Sequence, residues 1–152
     1  RAMLLHNLER DMESIKRYGG QLALHMLDLN LFKKINDTYG HDAGDVVLME
    51  LANTLTSVMP DALVARFGGE EFTCLASIEN EEEGEIILEK LRKSVESLTI
   101  NHKGHEIKIT ISVGVSTAYG DSFDDMIKLA DEAVFLAKEQ GRNQVVFSGK
   151  GD

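Results

Sequence analysis

Apolar positions recur along this chain with two different periods. Over residues 3–18, Leu4, Leu5, Leu8, Met12 and Ile15 fall at helical spacing, and Gly19-Gly20 follows as a stop. Leu22-Ala23-Leu24-His25-Met26-Leu27 is instead a short unbroken run. It predicts a strand buried on both faces that stops at Asp28. Asn30 then reads as the N-cap of a short helix over 31–39, ended by Gly40. Val47, Leu51, Leu55 and Val58 share one face of a helix over 46–59, with Asp45 in the first turn, where negative charge suits the helix dipole. Ile87, Leu88, Leu91, Val95 and Leu98 predict a helix over 85–98, preceded by an acidic stretch that reads as a solvated loop and helix start. His102-Lys103-Gly104-His105 reads as a hairpin turn with two surface histidines, before a central strand over 107–115. Met126, Ile127, Ala130, Val134 and Ala137 predict a last long helix over 124–140, with Gly141 beyond its end and an edge strand over 144–147.

Composition narrows the class. The chain has 152 residues, 43% of them hydrophobic, enough for one globular domain with a core. Sixteen Lys and Arg against twenty-six Asp and Glu give a net charge of −10. Binding to nucleic acid through its phosphate backbone calls for a basic surface, so that class is set aside. A phosphorylated small molecule remains compatible, provided metal ions and a few local cations neutralise it. Cys74 has no second cysteine to pair with and reads as a small buried hydrophobe, which fits a reducing compartment. No apolar run approaches the ~20 residues of a membrane span, and no signal peptide is visible.

The candidate chemistry lies between strands. Arg66-Phe67-Gly68-Gly69-Glu70-Glu71-Phe72 joins Leu63-Val64-Ala65 to Thr73-Cys74-Leu75-Ala76, two short strand-like runs around a Gly-Gly turn. A hairpin has no need of adjacent carboxylates. Glu70 and Glu71 repel one another, and strand geometry sends them to opposite faces. A divalent cation, which takes oxygen ligands, would use such residues. Asp28 sits where a strand ends before a helix begins. It either only terminates that strand or holds a metal beside a phosphate bound at the helix N-terminus. Lys138, in a helix's last turn, and Arg142 just beyond it are ordinary partners of a helix C-terminus.

The hairpin stretch resembles the signature of the GGDEF family, the diguanylate cyclases, in its GGEEF form. The family also carries Asp-x-x-x-Phe-Lys-x-x-Asn-Asp-x-x-Gly-His-x-x-Gly-Asp, and this chain reproduces every fixed position from Asp28 through Asp45. Its Ala-Lys-x-x-Gly-Arg-Asn segment recurs at Ala137 through Asn143, so the resemblance covers nearly the whole chain. The family's segment before the first helix is not found here, which suggests a single catalytic domain spanning 1–152 and cut from a longer signalling protein.

The resemblance implies an α/β (α+β) sandwich with a palm-like, ferredoxin-related sheet, helices packed on it and a signature β-hairpin. It implies synthesis of cyclic di-GMP from two GTP, by two-metal nucleotidyl transfer across a homodimer. Asp28, Glu70 and the Leu29 carbonyl would bind the metal, a pair of Mg²⁺ or Mn²⁺ ions in each site, with Glu71 a further acidic residue there. Phosphates would rest on N–H groups near Leu31 and Phe32 and on Lys33, Lys138 and Arg142. Gly68 and Gly69 would let the nucleotide approach, Asn36 and Asp45 would read guanine's edge, and His41 would be structural. It further implies cytoplasmic activity, no nucleic-acid partner, no direct membrane contact and an upstream sensor domain. A catalytically silent module that binds GTP or cyclic di-GMP is the alternative, and another nucleotidyl cyclase is a third reading. Many members also carry an inhibitory Arg-x-x-Asp just before the signature. Here the segment is Val58-Met59-Pro60-Asp61, and valine lacks the planar donor fork of arginine. Weak or absent product inhibition is expected, with Arg66 the nearby cation.

Overall fold

The computed structural model describes residues 10, 21–66, 71–117 and 123–148. The expected helix over 3–18 lies outside them except for Arg10, which is helical, and Gly68, Gly69 and Glu70 also lie outside. The chain runs β1 (Gln21–Leu29), α1 (Phe32–Tyr39), α2 (His41–Val58), β2 (Leu63–Arg66), β3 (Glu71–Ile78) and α3 (Glu81–Glu96). It continues through β4 (Ile100–His102), β5 (His105–Ile107), β6 (Ile111–Thr117), α4 (Phe123–Glu139) and β7 (Val145–Phe147). Five strands form a mixed sheet in the order β2-β3-β1-β6-β7, parallel only between β6 and β7, and β4-β5 is a separate hairpin. This is the expected sandwich of a sheet with packed helices.

Strand β1 is central, paired antiparallel with β3 on one edge and β6 on the other. Side chains alternate across it. Ala23, Leu27 and Leu29 join Phe72, Cys74, Val113 and Val115 in a core shared with α2 and α3. Leu24 and Met26 join Leu75 beneath Met126, Ile127, Ala130 and Val134 of α4. Helices therefore cover both faces, which is why β1 reads as an apolar run instead of an alternating one. The fit of α4 requires a glycine. A Cβ on Gly114 of β6 would lie 2.2 Å from the Ala130 carbonyl oxygen and 2.4 Å from the Val134 nitrogen, both backbone atoms of α4.

Several boundaries differ from the sequence reading. Asn30 is not an N-cap. Its amide donates to Thr110 Oγ1 at 2.9 Å, its oxygen accepts from Ser112 Oγ at 2.8 Å, and Leu31 takes the cap position. Helix α2 begins at His41, so Asp45 lies in its second turn. Gly40, at φ 95 and ψ 163, ends α1 and starts α2 as a single-residue corner, in a backbone region that glycine alone enters readily. Helix α3 begins at Glu81 because Asn80 caps it, accepting from the Glu83 N–H at 2.9 Å. The single strand expected over 107–115 is two, β5 and β6, and belongs to two sheets. The hairpin turn at Lys103-Gly104 is present, though His102 is only half exposed; His105 stacks against Tyr39 with ring centroids 5.3 Å apart.

Burial sets the ionisation of the core. The Cys74 thiol is pushed up to about 12, so it is inert at neutral pH. His25 has neither ring nitrogen bonded to a partner among the described residues, and burial depresses its pKa from 6.5 to about 4. Below pH 6.5 the unfolded chain takes up a proton that the folded chain refuses. Stability is therefore full above that pH and falls as pH drops toward 4, by up to about 3 kcal/mol. Urea midpoints measured at pH 7.5 and 4.5 should fall further for the parent than for His25→Phe; equal falls would contradict the assignment. Gly114→Ala should lower stability by about 3 kcal/mol, since backbone cannot step aside as a side chain can. An unchanged urea midpoint would show that α4 is free to move.

Candidate functional site

The site is assembled at one end of β1. Asp28 faces the α4 side of the sheet and is only 5% exposed. Directly opposite it on β3 is Glu71, and on β6, Ser112. Opposed residues in an antiparallel pair project to the same face. The register thus brings the Asp28 and Glu71 carboxylates to one side of the sheet. Lys138, in the last turn of α4, reaches across and ion-pairs with Asp28 Oδ2. Gly114 permits this, because the close packing of α4 on β6 sets how far Lys138 must reach.

The donor set suits a hard divalent cation. Asp28 and Glu71 offer carboxylate oxygens, the Leu29 carbonyl is next in line, and Asp28 already attracts a cationic group. Among the described residues no group of three or more His, Cys, Asp or Glu converges, and Glu70 lies outside them.

The turn after β1 is strained. Leu31 has φ 58 and ψ 35, a left-handed backbone that costs an L-residue about 1 kcal/mol or more, and its side chain is 57% exposed. A left-handed residue entering a right-handed helix turns successive N–H groups inward as an anion-binding concavity. Leu31, Phe32 and Lys33 occupy that turn, and Lys33 is exposed. Asn30, bonded to Thr110 and Ser112 as above, clamps the turn to the start of β6; its own N–H donates to the Thr110 carbonyl at 3.0 Å.

On the other side of α1, the Gly40 corner folds α2 back so that Asn36 meets Gly44. A Cβ on Gly44 would stand 1.9 Å from Asn36 Oδ1 and 3.3 Å from the Phe32 ring. The absence of that carbon makes room for the Asn36 amide. Asn36 Oδ1 is buried with no hydrogen-bond partner among the described residues, and Asp45, the residue after Gly44, is exposed. Two acceptors with spare capacity therefore flank this cleft. His41, expected to be structural, is exposed at the first position of α2.

Arg142 leaves the end of α4 through a Schellman turn. Its N–H donates to the Ala137 carbonyl at 2.9 Å, and that of Gly141 to the Lys138 carbonyl at 3.3 Å. The structure thus sets Asp28, Glu71 and Lys138 together, Leu31 to Lys33 at the adjoining turn, and Asn36 beside Gly44 on a separate cleft. Sequence reasoning missed Asn30, Ser112 and Gly114. Of these, only the small residue at 114 within an apolar strand carried a local signal. The Val58-x-x-Asp61 segment lines a separate cavity of about 670 Å³ that Arg10 also lines.

A family model described as the GGDEF domain of diguanylate cyclases matches residues 1–144. Diguanylate cyclase A of Treponema denticola is 42% identical over 130 residues, 84% of this chain and 35% of that protein. Diguanylate cyclase DgcP of Pseudomonas aeruginosa is 38% identical over 147 residues, 95% of this chain and 22% of that one. The chain therefore spans about a third or less of these relatives. Among solved structures, diguanylate cyclase SiaD of Pseudomonas aeruginosa, in complex with its activator SiaC, superposes with a TM-score of 0.89 at 37% identity, covering 97% of this chain and 58% of that one. The active GGEEF domain of a Vibrio cholerae diguanylate cyclase gives 0.88 at 30% identity, covering 99% and 97%. Matched along nearly its whole length in sequence and in fold, this chain belongs to the GGDEF-domain family of diguanylate cyclases.

Proposed function

We propose that this domain is a diguanylate cyclase that condenses two GTP into cyclic di-GMP and releases pyrophosphate twice. The observation that carries the reading is the register of β1 on β3, which puts Asp28 opposite Glu71 with Lys138 against Asp28. Paired carboxylates beside an ammonium group are suited to a metal–triphosphate complex, and the intact spacing from Asp28 to Asp45 supports the same chemistry. Asp28, Glu70, Glu71 and the Leu29 carbonyl would hold Mg²⁺ or Mn²⁺, a pair of ions per site. Bound there, the metal would neutralise phosphate charge and lower the pKa of the attacking hydroxyl.

The chain's own groups do the positioning. The N–H groups of Leu31 and Phe32, with Lys33, Lys138 and Arg142, hold the phosphates, and Gly68 and Gly69 give the nucleotide room at the hairpin. Asp45 accepts from guanine N1–H and N2–H, and the amide of Asn36 completes that edge by donating from its NH2 to O6. The 3′-oxygen of one GTP then attacks the α-phosphorus of the other. A P–O bond forms as the bond to the β-phosphate oxygen breaks, the hydroxyl proton leaves, and pyrophosphate departs. A second such step closes the ring. One domain holds one GTP, so two must face each other in a twofold homodimer. A sensor segment in a longer protein would control that pairing. A GTP substrate implies the cytoplasm. Among the described residues no helix is long and apolar enough to cross a membrane.

Two outcomes test this. In a dimer-forced protein given GTP and Mg²⁺, mass analysis should show cyclic di-GMP, and either Asp28→Ala or Glu70→Ala should reduce it to background while melting normally. GTP binding without product in the parent would identify a silent binding module. Near-normal synthesis by either variant would remove the metal site. Separately, Asp45→Ser should lower the preference for GTP over ATP at least tenfold, because a site built to pair polar groups rejects an analogue lacking them. A preference equal to the parent's would leave Asp45 no part in reading the base.

A further inference from the structure

Arg142 is exposed, yet its backbone is among the most constrained in the domain. Its φ is 64 and that of Asn143 is 50, two left-handed residues in succession. Such residues persist only where their surroundings over-determine them. Three sets of bonds act on the backbone. The Schellman turn holds the Arg142 N–H on Ala137. The Gln144 amide donates to the carbonyls of Gln140 and Arg142, each at 3.1 Å. The Gln144 carbonyl accepts from the Val113 N–H at 2.9 Å, which ties the loop's exit to β6.

A fourth set comes from a different element. Arg92 of α3 donates through Nη1 to Asn143 Oδ1 at 3.0 Å, and Asn143 Nδ2 donates to Glu96 Oε2 at 2.5 Å. Arg92 is itself fixed. Its side chain is 13% exposed, Nε donates to Glu89 Oε1 at 2.8 Å and Nη2 to the same oxygen at 2.5 Å, and Glu96 stands 3.6 Å from Nη1. The charge-assisted bond holds the Glu89 carboxyl below the usual carboxylate range and raises Arg92. These ion pairs with Glu89 and Glu96 lie within α3 and would be complete without Asn143. Leu88, Leu91 and Val95 already seat the helix in the core. What the fork adds is a grip on one side chain, that of the residue after Arg142.

We propose that Arg92 is a positioning residue for the nucleotide phosphates. Acting through Asn143, it locks the left-handed turn from which Arg142 meets the triphosphate. The inference rests on the reading of Arg142 as a phosphate ligand. Arginine suits the role because its planar fork serves Glu89 and Asn143 at once, which a lysine cannot do.

The test is a mutant cycle on the 152-residue chain, titrating GTP with Mg²⁺ calorimetrically and using guanosine as a probe without phosphates. Arg142→Ala and Arg92→Met should each weaken GTP about tenfold, the scale of one charge-assisted hydrogen bond, and leave guanosine unchanged. The double variant should be no weaker than Arg142→Ala, since both remove the same contact. Asn143→Gly tolerates the left-handed backbone without strain, so it removes the grip while sparing the fold, and it should match Arg92→Met. If Arg142→Ala binds GTP normally, the phosphate-ligand reading fails and this proposal with it. If Arg142→Ala is weakened but Arg92→Met and Asn143→Gly are not, the positioning role alone is overturned. An additive double variant, or an equal loss for guanosine, would reduce Arg92 to a purely structural brace.

Discussion

The arrangement depends on the register of one strand. From Ala23 to Asp28, β1 is paired with strands on both edges, and helices cover both of its faces. Sliding it by one residue would exchange its two faces. His25 and Leu27 would then meet α4, while Asp28 would be driven into the apolar core against α2 and α3. An unpaired carboxylate there would cost several kcal/mol. The apolar core thus enforces the register, and the register places Asp28 opposite Glu71 and within reach of Lys138. Stability and site geometry are here the same constraint.

The two faces of the sheet carry different chemistry. The α4 side carries the charged groups, because Gly114 lets the α4 backbone rest on β6 and so brings the C-terminal end of that helix to Asp28. The α2 side carries the cleft beside Asn36, because the corner at Gly40 folds α2 onto α1 and sets Gly44 beneath Asn36. Between them lies the strained turn at Leu31, clamped by Asn30 to β6. A ligand spanning the three would be anionic at one end and planar and polar at the other, as GTP is.

Much of this was legible in the sequence where the signal was local. The apolar run of β1, the inward face of α4 and the Gly141 stop each follow from neighbours within one or two turns. What was not legible involved partners far away. Asn30 has the composition of an N-cap, but its partners Thr110 and Ser112 are about eighty residues distant and outcompete the helix. The break between β5 and β6 falls inside an unbroken alternating pattern, so only sheet membership reveals it. Glu71 reads from the resemblance only as a further acidic residue beside Glu70. It takes the pairing with β1 to place Glu71 on Asp28's face. The early start of α2 was hidden because Gly40 reads as a terminator, and nothing local says that it also begins the next helix.

The net charge of −10 raises the question of how such a domain would hold a triphosphate. Much of the negative charge is already engaged within α3. Glu81, Glu82 and Glu83 serve the N-terminus of α3, and Glu89 and Glu96 neutralise Arg92 on the same helix. Exposed carboxylates are further screened by salt, over a Debye length of roughly 8 Å at physiological ionic strength. The nearby charges are few and constrained. Lys138 is pinned by Asp28, the Arg142 backbone is held by the Schellman turn, and the N–H groups around Leu31 are aligned by the backbone itself. Groups already ordered lose little further entropy when a ligand arrives, so a handful of fixed donors can outweigh a larger number of mobile carboxylates.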